Sequence, residues 1–139
     1  MRDLSELGIE QDGSVTDEMV ATVQDHIGVE FPADYVFFVK YCDEAEPTVG
    51  GIQFGDEETM IDSFFKFSDE EQEEYGILGY VGIPGFPKKV IPFARDPGDA
   101  FFCLDMNRAG AVVFYNPDTE KWSQVAETFG EFIDMLIEL

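Results

Sequence analysis

Between positions 90 and 126, short apolar runs follow one another with only turn-length spacers, and that rhythm limits what the chain can become. The runs are 90–94, 100–104, 111–115 and the shorter 122–126. The first spacer reads Asp96, Pro97, Gly98, Asp99; the second Asn107, Arg108, Ala109, Gly110; the third Asn116, Pro117, Asp118, Thr119. Proline presets φ in such turns, and Gly98 is expected to supply a positive φ. Strands joined by so few residues must run antiparallel, because a parallel crossover needs a dozen or more. This third of the chain is therefore an antiparallel meander. Asp96, Asp99 and Asp105 read as hairpin residues whose carboxylates accept backbone N–H groups.

Helical signals flank the meander. Thr16 reads as an N-cap, with Asp17 and Glu18 in the first turn, where the helix dipole favours anions. Met19, Val20, Val23 and Ile27 recur at helical spacing, and Gly28 is the stop. In "VEFPADYVFFVKYC", Pro32 suits the first position of a second helix. Tyr35, Phe38, Val39 and Cys42 form one stripe. The run from Val36 to Val39 also suits a strand, but the Phe-Pro-x-Asp start selects helix. At the far end, Thr128 and Glu131 make a capping box, and Phe132, Ile133, Leu136 and Ile137 are expected to face inward.

Between these, Ile52 and Phe54 alternate around Gln53, and "TMIDSFFKF" (59–67) reads as one further strand. Ser68 and Glu71 suggest a capped, exposed acidic helical turn. "GILGYVGIPGFPKK" (76–89) is too rich in Gly and Pro to promise regular structure. The order predicts an α+β fold: a single domain with an antiparallel meander sheet, two N-terminal helices and a C-terminal helix packed on it. Residues 1–14 are expected to be a flexible arm and 15–139 the domain. The 14 Phe have core spacing.

Charge separates the functional classes. Thirty acidic against eight basic residues give a net −22. Residues 1–87 hold 21 acids and three bases, residues 88–121 five of each, and residues 122–139 four acids and no base. Such a field repels nucleic acid and anionic membranes and draws basic proteins. His26 is the only histidine, and no serine elbow or cysteine motif accompanies it. The glycines of 79–87 lack the Gly-Lys-Ser/Thr of a phosphate loop. "DPGDAFFCLDMN" has neither the glycine position nor the closing Glu of a calcium loop, and no His/Cys cluster suits zinc. No catalytic residue, cofactor or metal is expected, although a carboxylate pair keeps an enzyme as the weakest alternative. Cys42 and Cys103 stand apart and read as buried thiols. There is no signal-peptide pattern and no long apolar run, so a cytoplasmic location is expected.

Three stretches carry a family resemblance: "IGVEFPADYVFFVKY" (27–41), "VIPFARDPGDAFFCLDMN" (90–107) and "FGEFIDMLIEL" (129–139). Together they resemble the SUKH superfamily, known also for yeast cell-wall (glucan) synthesis regulators. The family often has Asn-Gly-Gly after the second helix, where this chain has "YCDEAEP" and reaches Gly50 and Gly51 later. The resemblance implies an α+β domain with one antiparallel sheet and no catalytic role. Many bacterial members are immunity proteins that bind and neutralise polymorphic toxins, often nucleases. The expected partner is thus a toxin with a basic surface, met through Asp43, Glu44, Glu46, Asp56, Glu57, Glu58, Asp69, Glu70, Glu71, Glu73 and Glu74. The alternative is a regulatory scaffold of the glucan-synthesis type.

Overall fold

Helix starts and strand turns form close to where local chemistry places them. The computed structural model describes residues 1–70, 76–80 and 86–138. Helix α1 (Asp17–Ile27) begins where Thr16 Oγ1 accepts the Met19 N–H at 3.2 Å and stops at Gly28, whose φ is 81°. Helix α2 (Ala33–Tyr41) starts one position later than expected, because Pro32 stands outside it as the extended cap residue, with ψ 146°. A last helix, Phe129–Asp134, is capped by Thr128 Oγ1, which accepts the Glu131 N–H at 3.0 Å. It ends too early to turn Ile137 inward. Ile137 is 40% exposed and instead exchanges backbone hydrogen bonds with Gly51, both at 2.8 Å.

The expected strand over 59–67 is two strands in different sheets. Strands β1 (Gly51–Phe54) and β2 (Glu57–Met60) form a two-stranded hairpin, whereas β3 (Ser63–Phe64) joins a five-stranded antiparallel sheet. The chain changes partner between them: the Ile61 N–H reaches the Gly50 carbonyl and the Asp62 N–H the Arg95 carbonyl, each at 2.8 Å. A short helix α3 (Ile77–Tyr80) forms within the stretch expected to be irregular. Fully buried Ile77 anchors it, donating its N–H to Lys66 O at 3.0 Å. The main sheet then continues through β4 (Val90–Arg95), β5 (Phe101–Asp105), β6 (Ala111–Asn116) and β7 (Lys121–Ala126), in the order β3-β4-β5-β6-β7. The C-terminal helix is α4. Two antiparallel sheets with helices before and after them make the fold α+β.

Two details of the meander differ from expectation or sharpen it. In the β4–β5 turn the left-handed conformation falls on Asp99 (φ 62°), not on Gly98. In β4 the register steps from Pro92 opposite Cys103 to Ala94 opposite Phe102, a bulge at Phe93. Proline cannot donate to a ladder, and a bulge is one of the places where a strand tolerates it. The extra residue also lets Phe93 and Ala94 both join the main core.

That core lies between the helices and one face of the sheet. Phe93 meets Phe129 and Phe132 at 5.3 Å between ring centroids, and Phe102 meets Phe132 at 5.3 Å. Tyr35 of α2 reaches Phe129 at 5.1 Å, and Phe54 of the hairpin reaches Phe114 at 5.3 Å. On the other face, Val90, Cys103 and Val113 form a smaller cluster with Phe86 and Phe101. Cys42 belongs to the main core, so the two free, buried thiols sit in different clusters. The N-terminal stretch is not a loose arm. Leu4, Leu7 and Ile9 are buried in the main core, and the Thr48 N–H donates to Leu7 O at 2.9 Å.

Candidate binding surface

The acidic positions divide between two places. The loop after α2 runs beside the segment that follows β3: the Phe64 N–H donates to Ala45 O at 2.8 Å, and Asp43 Oδ1 accepts the Phe67 N–H at 2.7 Å. These bonds set Asp43 beside the segment that leads into Asp69 and Glu70, with Glu44 next to it and Glu46 further along toward β3. Ser68 Oγ accepts the Glu70 N–H at 3.1 Å; the helical turn expected from Ser68 and Glu71 falls outside the described residues. Asp12 joins the group, accepting the Asp43 N–H at 3.1 Å. Glu44, Glu46, Asp69 and Glu70 are exposed, whereas Asp43 is half-buried. Burial raises the Asp43 carboxyl above its ordinary value; the Phe67 N–H opposes that rise and the Asp12 charge adds to it. Asp43 therefore has a structural duty as well as a charge.

The second place is the β1–β2 turn, where Asp56, Glu57 and Glu58 are exposed. Glu57 lies 3.8 Å from Lys121 at the start of β7, and Glu58 accepts from Gln53 Nε2 at 2.7 Å. Since β3 and β7 are opposite edges of the main sheet, the two groups do not merge into one patch. Glu71, Glu73 and Glu74 lie outside the described residues.

The structure adds a feature that sequence reasoning counted as core. Of the 14 Phe, Phe37 alone is classed as exposed, at 58%. Its ring stacks on Tyr41 with a centroid separation of 6.4 Å and an interplanar angle of 23°. The signal was present as an i, i+4 aromatic pair on the side of α2 away from Phe38.

The remaining chemistry is structural. Asp96, 9% exposed, accepts the Gly98 and Ala100 N–H groups at 2.9 Å through Oδ1 and the Thr59 hydroxyl at 3.0 Å through Oδ2. Asp105 accepts the Asn107 N–H at 3.0 Å, as the turn chemistry suggested. Burial pushes the Cys42 thiol up to about 12 and Cys103 well above the ordinary range, so neither is poised as a nucleophile. Among the described residues, no group of three or more His, Cys, Asp or Glu converges in a way that could hold a metal ion. No helix among them is long and apolar enough to cross a membrane.

Comparison with known proteins agrees with this architecture. The SMI1 / KNR4 family (SUKH-1) matches residues 14–135. A curated relative is the SPbeta prophage-derived uncharacterized protein YokK of Bacillus subtilis (strain 168). It is 22% identical over 147 aligned positions, which cover 88% of this chain and 75% of the relative.

Proposed function

On the premise that this chain belongs to the SMI1 / KNR4 family (SUKH-1), we propose that it is a non-enzymatic cytoplasmic binding protein that neutralises a toxin bearing a basic surface. The observation that carries this reading is the acidic edge beside β3. The Phe64 N–H to Ala45 O bond and the Phe67 N–H to Asp43 Oδ1 bond hold two segments together there, and Glu44, Glu46, Asp69 and Glu70 on them are exposed. A nuclease must keep a basic surface to hold phosphates, and a fixed carboxylate array can occupy that surface in place of nucleic acid.

The test is protection. The product of the gene beside this one is expressed alone and with this chain, and growth is followed. Rescue of growth is expected, with a purified complex whose affinity weakens as salt rises. Failure of every neighbouring basic gene product to bind or to be neutralised would remove the proposal.

A further inference from the structure

Helix α2 is apolar on two sides. Tyr35, Phe38 and Val39 enter the core. On the other side Ala33, Val36, Phe37, Lys40 and Tyr41, with Gln11 from the N-terminal stretch, line an open groove of about 580 Å³. A surface helix ordinarily pairs one apolar face with a polar one. Phe37, 58% exposed and stacked on half-buried Tyr41, breaks that pattern by presenting a large ring at the mouth of the groove, where a partner can cover it.

The rim selects the occupant. Exposed Glu10 and Asp12 flank Gln11 in the chain, exposed Glu44 lies three residues after Tyr41, and exposed Glu30 three residues before Ala33. The Asp12 N–H donates to Tyr41 O at 2.9 Å and its carboxylate accepts the Asp43 N–H at 3.1 Å, which holds Asp12 against the end of the helix. Lys40, the cation in the groove wall, is paired with Asp17. An aromatic floor with an anionic rim suits a guanidinium or ammonium group on an aliphatic stem: the stem lies on the rings and the charge meets the carboxylates. A second copy of this chain would bring −22 against −22, and nucleic acid or an anionic membrane would be repelled in the same way.

We propose that the outer face of α2 is a docking groove for a basic protein segment, which seats an arginine or lysine side chain on the Phe37–Tyr41 stack. This deepens the toxin-binding reading and rests on it for the partner's identity. It places the centre of the interface on α2, with the acidic loops as its rim.

The groove can be tested without a toxin. The 15N-labelled protein is titrated with acetyl-Arg-Leu-Arg-Leu-Arg amide and with its Glu-for-Arg counterpart, each up to about 5 mM. The arginine peptide is expected to shift the amides of 33–41 and Gln11, and the glutamate peptide none of them. Phe37→Ala, which removes an exposed ring, should weaken the response about tenfold or more. Glu120→Gln, an exposed residue of the β6–β7 turn, should leave it unchanged. The proposal is overturned by absent shifts in α2, by shifts centred on 56–58 instead, by equal response to both peptides, or by an unaffected Phe37→Ala. Peptide binding at α2 without any neutralised toxin would leave the groove standing and remove the toxin reading. A neutralised toxin that ignores Phe37→Ala would do the reverse.

Discussion

Asp96 ties three parts of the molecule to one buried carboxylate, so its replacement reads the β4–β5 turn and the hairpin together. Truncation in Asp96→Ala leaves three donors without their acceptor: the N–H groups of Gly98 and Ala100 and the Thr59 hydroxyl. Gly98 is exposed and Thr59 half-buried, so water can replace the lost partner for both. Ala100 is 3% exposed, and its N–H has no such recourse. Leaving that group unpaired costs about 2 kcal/mol, and the lost bonds to Gly98 and Thr59 add about 0.5 kcal/mol each. The expected total is about 3 kcal/mol. With an unfolding entropy of about 2 cal/mol/K per residue over 139 residues, that lowers Tm by about 10 °C.

Asp96→Asn separates hydrogen bonding from burial. Its side-chain carbonyl can still accept from Gly98 and Ala100, while its amide donates to a rotated Thr59 hydroxyl, so the cost falls to about 1 kcal/mol. Urea unfolding followed by circular dichroism measures both variants at constant m-value. Adding Thr59→Val to Asp96→Ala should cost less than the sum of the single changes, because the two share a bond. The reasoning fails if Asn is as damaging as Ala, or if Ala costs under about 1 kcal/mol.

Two further outcomes follow from single residues. Burial raises the Asp43 carboxyl above its ordinary 3.8, so just above that pH the native chain keeps a proton that the unfolded chain has lost. Stability from this group is therefore present at low pH and is lost as pH rises through the raised value. Asp43→Asn should gain on the wild type as pH rises from about 4 to 7, read as urea midpoints, and a pH-independent gap would contradict the shift. Gly110→Ala should cost about 2 kcal/mol in urea unfolding, since φ there is 84° and the added Cβ would stand 2.7 Å from Pro32 Cγ. Wild-type stability in that variant would mean the β5–β6 turn does not press on the start of α2 as described.

What the sequence made legible was decided within a few residues. Thr16 with Met19, Thr128 with Glu131 and Asp105 with Asn107 are bonds spanning two or three positions, and each formed as its residue types required. What stayed illegible depended on distant partners. The stretch 59–67 divides because Gly50 and Arg95 compete for its backbone, and Leu7 is buried because Thr48 bonds to its carbonyl. The acidic positions could be named but not grouped, since the bond that joins two of their loops runs from Phe67 to Asp43, 24 residues away. The second helix is the most informative case. Periodicity shows which residues share a face, but when both faces are apolar it cannot say which one the rest of the chain will cover. The core takes the Tyr35 side because the stripe is continued by Cys42 into the loop that pairs with β3. The Phe37 ring is left against solvent, where it costs hydration free energy that a polar residue would avoid. That exposed ring is what the proposed basic partner would cover, and the response of Phe37→Ala decides whether it does.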